Sequence, residues 1–149
     1  MPLDTGIANV AHAIQLAIAP VFLLTGLAGL LGVIANRLAR VVDRARSIEP
    51  TWPSLDVEAR TTARLEMRNL ERRRHLCSWS INYCTLAALL ICLVIVTLFT
   101  EELFATNLRW LAGGLFVTAM VLVSCGLTWF LREVYIATHI TTIDAARFE

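Results

Sequence analysis

A chain of 149 residues is long enough for one domain, but 57% of it is hydrophobic and its mean hydropathy is +0.65, more apolar surface than a soluble core of this size can hide. Its thirteen basic residues are all arginine, and ten of them fall between residues 36 and 75 beside only six acidic residues, a strong local asymmetry in a chain of net charge +1. Composition therefore excludes an ordinary soluble globule and points to a single membrane domain over 1–149.

Three runs absorb the apolar excess: Leu16 to Ala35, Leu76 to Thr100 and Trp110 to Leu131. Each is near the roughly 20 residues needed to cross a 30 Å hydrocarbon layer, and none carries an ionised side chain. In hydrocarbon every backbone N–H and C=O must find its partner within the segment, so runs of this length read as helices. The first run has no basic residue before it and its arginines follow it, which reads as a retained span rather than a cleaved leader.

Residues Ile7, Val10, Ala11, Ile14, Ala17 and Ile18 keep helical spacing ahead of Pro20, with His12 and Gln15 interrupting them. A single helix from Ile7 to Ala35 would measure about 43 Å, so tilt or a kink near Pro20 is expected. Beyond the membrane Leu38, Val41, Val42, Ala45 and Ile48 hold one apolar face while Arg37, Arg40 and Arg44 hold another, which carries the first helix to about residue 48. The stretch Glu49-Pro50-Thr51-Trp52-Pro53-Ser54 then breaks it, with Ser54 or Asp56 placed to cap the next helix.

From Leu55 a narrow stripe of Leu55, Ala59, Ala63, Met67 and Leu70 leads without a breaker into the second span, so one helix is predicted over about 55–100. The two arms would form an antiparallel hairpin over about 36–75. The third helix overshoots its span to about Asp144. Trp79 to Phe99 and Trp110 to Trp129 each cover one interface-to-interface distance. The positive-inside rule puts the Arg-rich hairpin in the cytoplasm, the N-terminus outside and the C-terminus inside.

Arg60, Arg64, Arg68 and Arg72 recur every four residues and stack four guanidinium groups on one helical face. With Arg37, Arg40 and Arg44 they form a cationic set that a soluble anion, an anionic lipid or an acidic partner would complete, although the same charges also serve as a solvated topology signal. Nucleic acid is disfavoured, because the arm lacks interleaved aromatics and carries six acids.

In the first span Gly26, Gly29 and Gly32 permit close helix approach, and Gln15, Thr25 and Asn36 lie on neighbouring faces. Packing within one bundle and a polar path at a subunit interface both account for this pattern. Ser78, Asn82 and Thr85 share a face of the second helix, as do Thr118, Cys125, Thr128 and Arg132 of the third, so interhelical bonds such as Asn82 to Thr128 are expected at about 1 kcal/mol each. The cysteines Cys77, Cys84, Cys92 and Cys125 show no CxxC spacing and read as small buried packers. His12, His75 and His139 fall on opposite sides in this topology and form no single metal site. No nucleophile triad, carboxylate pair or phosphate-binding glycine loop is present, so neither catalytic residues nor a cofactor is expected.

The run His12-Ala13-Ile14-Gln15-Leu16 through Ala19-Pro20-Val21-Phe22-Leu23-Leu24-Thr25-Gly26, followed by Asn36-Arg37-Leu38-Ala39-Arg40-Val41-Val42-Asp43-Arg44-Ala45-Arg46, resembles a bacterial membrane family catalogued as domain of unknown function 2721. The resemblance covers most of the chain and implies a bacterial inner-membrane location without supplying an activity. Together these readings lead to an all-α integral membrane protein of three long helices, embedded in the lipid bilayer as a homo-oligomer. Its expected role is a small channel or permeation protein with an Arg-rich cytoplasmic vestibule. The alternative is a non-conducting scaffold or regulator whose hairpin docks an acidic partner or anionic lipid.

Overall fold

A computed structural model describes the backbone of residues 2–48, 50, 52, 56–104 and 107–145, and side chains over 11–48, 50, 52, 56–104 and 107–138. Three helices account for almost all of it: α1 (Pro2–Ile48), α2 (Val57–Phe104) and α3 (Arg109–Ala145). All three are long and apolar enough to cross a membrane, which is the architecture of a multi-pass membrane protein. Within the most apolar window of each helix only 22%, 22% and 17% of the residues are buried. The remaining apolar surface needs a hydrocarbon solvent.

α1 continues through Pro20 without a break. Proline there removes one N–H, so the carbonyl one turn earlier loses its helical partner. The helix is described as far as Ile48, the last residue of its apolar stripe. α2 starts one residue after Asp56, whose Oδ1 accepts the Val57 amide at 2.7 Å while its carbonyl accepts the Arg60 amide at 2.9 Å. Asp56 is thus the cap; the alternative, Ser54, lies outside the described residues, as do Glu49, Thr51 and Pro53 of the connecting stretch and Leu55 at the head of the α2 stripe. α2 also runs past Thr100 to Phe104, because Glu101 and Glu102 are good helix formers and no breaker intervenes. A salt bridge of 3.0 Å from Arg109 Nε to Glu101 Oε1 ties the start of α3 to the last turn of α2.

The chain forms two compact units. The first comprises residues 1–31 and 83–124. Its core joins Leu27 of α1, Cys84, Ala87 and Ile91 of α2, and Ala119 and Val123 of α3. Buried positions recur at seven-residue intervals: Ala13, Pro20 and Leu27; Cys84 and Ile91, with Ala87 and Val94; Ala112 and Ala119. A period of 3.5 residues per turn is that of helices wound on one another. Small residues at these places bring backbones close, which is how helices gain packing energy where lipid supplies no hydrophobic drive.

The second unit comprises residues 32–82 and 125–149. Val41 and Ile48 of α1 pack on Leu70 of α2, with Ala45, Trp52, Ala63 and Met67 around them. This is the hairpin expected from the two apolar stripes, reinforced by a 2.8 Å salt bridge between Arg44 Nε and Glu66 Oε1. Seven-residue spacing holds here also, in Ile34, Val41 and Ile48, in Leu70 and Cys77, and in Gly126 and Glu133.

Candidate functional site

The most consequential group in the second unit is Glu133, a carboxylate on α3 with no solvent exposure. Removing a carboxylate from water costs several kcal/mol unless cations and hydrogen bonds replace the solvent. Here both are supplied. Arg73 of α2 donates twice to Oε1, from Nη2 at 2.8 Å and Nε at 3.2 Å, and Arg37 of α1 donates from Nη1 to Oε2 at 3.3 Å. The Arg37 guanidinium also lies 5.5 Å from the centre of the Phe130 ring. One anion between two cations leaves the cluster net positive, and Arg40 joins Arg37 and Arg73 around an opening of about 200 Å³.

Sequence reasoning placed Arg37 among residues awaiting an external anion and passed over Glu133. The structure gives Arg37 an internal partner. The missing signal was present in α3: Ala112, Ala119 and Gly126 are buried seven residues apart, and the next step lands on Glu133. A carboxylate at the core position of a helix, just past an apolar run, requires cations from neighbouring helices.

One heptad earlier the Ser80 hydroxyl donates to the Gly126 carbonyl at 2.7 Å, in a fully buried bond. This replaces the expected pairing of Asn82 with Thr128, both of which are exposed. The reason is rotation: Ser80, three residues after Cys77, faces inward with it, and Asn82 is turned to the outside. Among the cysteines Cys77 and Cys84 are buried as expected, whereas Cys92 is exposed and Cys125 only partly covered. His12 and His75 are exposed, and the side chain of His139 lies outside the described residues.

Arg60, Arg64, Arg68 and Arg72 are all exposed along α2. Arg64 leans over the Trp52 ring at 5.8 Å. Arg44 is occupied by Glu66, whereas Arg40 has no carboxylate at ion-pair distance among the described residues.

α1 carries a second, outward seam. Gln15, Thr25, Gly29, Gly32 and Asn36 are exposed and belong to two interleaved seven-residue series, 15–22–29–36 and 25–32. A methyl group built on Gly26, Gly29 or Gly32 would meet no atom within 4 Å, so these glycines do not serve packing within the chain. Thr25 turns its hydroxyl back onto the Val21 carbonyl at 3.2 Å.

A family model described as Protein of unknown function (DUF2721) matches residues 17–143. No curated protein and no solved structure matches the chain.

Proposed function

The chain belongs to this family of unknown function, and from its geometry we propose that it works as a homo-oligomeric membrane protein whose copies meet along the outward seam of α1 and enclose a narrow polar path. The observation that carries this reading is the exposure of Gly29 and Gly32 in register with Gln15, Thr25 and Asn36. The glycines admit the backbone of a second copy, and the same seam on that copy offers hydrogen-bond partners to Thr25 within the apolar run and to Gln15 and Asn36 at its two ends. The core clusters of the two units are made of apolar side chains such as Leu27 and Ile91 in one and Val41 and Leu70 in the other, whereas the polar seam faces outward, which favours a path between copies over one through a single chain.

In this reading the Arg-rich end faces the bacterial cytoplasm, following the positive-inside rule. Arg37, next to Asn36, and Arg40, one turn beyond it, then place positive potential at the inner mouth, and the ladder Arg60 to Arg72 extends it outward. Such a mouth concentrates anions. The test pairs scattering mass in mild detergent with anion flux in liposomes. Wild type is expected above monomer mass with measurable flux, and Gly29→Leu with Gly32→Leu is expected to abolish both. Wild-type monomers, or flux equal to that of empty liposomes, would overturn it.

A second reading rests on the ladder alone. Four exposed guanidiniums on one helical face suit an acidic protein partner, with the membrane part serving as a non-conducting scaffold. A photocrosslinker at position 68 in cells separates the two: the scaffold yields a stoichiometric foreign adduct, the channel only adducts with itself.

A further inference from the structure

We propose that a groove between α2 and α3 in the second unit binds one anionic phospholipid. The groove has a volume of about 690 Å³ and is bordered by Arg72 and Leu76 of α2 and by Trp129, Leu131, Arg132 and Tyr135 of α3. Leu76 opens the apolar run of α2 and Leu131 closes that of α3, so the groove sits where hydrocarbon gives way to headgroups.

Its two cations differ from the arginines that the fold consumes. Arg37 and Arg73 hold Glu133, Arg44 holds Glu66 and Arg109 holds Glu101. Arg72 and Arg132 have no carboxylate at ion-pair distance among the described residues, and both are exposed. The Arg132 guanidinium stands 5.7 Å from the centre of the Trp129 ring, a cation–π contact that holds it beside the groove. Two guanidiniums present a fork of donors to the non-bridging oxygens of a phosphodiester.

On their apolar side the groove is walled by Leu76 and by Leu131, which is 68% exposed and leaves it open sideways, while Tyr135 borders it one turn beyond Arg132. A soluble anion would use only the cationic rim. A phospholipid uses both parts, its phosphate between Arg72 and Arg132 and the upper acyl chain along Leu76 and Leu131. A headgroup ending in an amine would bring a third cation to the pair, so the chemistry selects glycerophospholipids without one, of the phosphatidylglycerol class.

This site depends on the three spans and not on conduction, so its failure leaves the proposed path standing, and a failed flux assay leaves the lipid site standing. The experiment is native mass spectrometry of the intact protein in mild detergent, titrated with phosphatidylglycerol or phosphatidylcholine. Wild type is expected to retain phosphatidylglycerol preferentially, with about tenfold weaker retention in Arg72→Gln/Arg132→Gln, the scale expected for losing charge-assisted bonds. Arg46→Gln/Arg74→Gln removes two exposed cations from the same unit and is expected to keep wild-type retention. Equal loss in both double variants, equal retention of the two lipids, or displacement of the lipid by inorganic phosphate would each overturn the proposal. A second measurement needs no arginine variant: with Trp129 as the only tryptophan after Trp52→Phe, Trp79→Phe and Trp110→Phe, brominated phosphatidylglycerol is expected to quench it more than brominated phosphatidylcholine. Equal quenching would also overturn the site.

Discussion

The two units of this chain share one helical rhythm and differ in what they bury. In residues 1–31 and 83–124 the core cluster is Leu27, Cys84, Ala87, Ile91, Ala119 and Val123, and no charged residue is buried among the described residues of this unit. In residues 32–82 and 125–149 the same seven-residue spacing brings in Ser80 and Glu133. The difference teaches that spacing decides which residues face inward, whereas local solvent decides how those residues are satisfied. Where three apolar runs meet, contact between small side chains suffices. Where the runs end, water and arginines are near, and a buried carboxylate can be held.

The sharpest way to break this comparison is at Glu133. Glu133→Leu removes the anion and leaves Arg37 and Arg73 facing each other across the core, so a loss of about 3 kcal/mol is expected in reversible unfolding in detergent. Because the side chains of Arg37 and Arg73 remain 36% and 25% exposed, water takes up part of that charge and the loss sits at the low end of buried-pair values. A variant as stable as wild type would show that the clasp is dispensable.

The apolar unit is probed by Ile91→Ala, which opens a cavity beside Leu27 and Ala119 without touching any charge. A loss of about 2 kcal/mol is expected, independent of salt. Salt separates the two mechanisms, since the Glu133 variant should respond to it and the Ile91 variant should not. The smallest effect belongs to the hairpin surface. Arg44→Gln breaks the pair with Glu66, whose partners are 59% and 39% exposed, and is expected to change stability by about 0.5 kcal/mol or less. A loss as large as that at Glu133 would mean that the arm is far less hydrated than its exposure indicates.

Much of this architecture was legible in the residues. A first helix reaching about residue 48 agrees with α1, described to Ile48; a second over about 55–100 compares with Val57–Phe104; and a third reaching about Asp144 compares with α3, described to Ala145. The hairpin contacts of Val41, Ile48, Ala63, Met67 and Leu70 followed from apolar stripes. Less legible was the pairing of polar groups. Asn82 and Thr128 matched in residue type and depth, yet Ser80 and Gly126 form the bond. Glu133 was overlooked because it lies just outside an apolar run, where an acidic residue looks like ordinary solvated surface.

Sequence by itself determined the solvent of each segment and the approximate extent of each helix, because hydropathy over some 20 residues, a proline or a capping side chain acts through neighbours along the chain. Only the tertiary structure decided which arginines are consumed and which stay open, and that Gly29 and Gly32 face away from the chain's own helices. Those outcomes depend on how each helix is rotated about its axis. A rotation is set by contacts between residues such as Arg37, Arg73 and Glu133, which lie far apart in sequence and meet only when all three helices are in place.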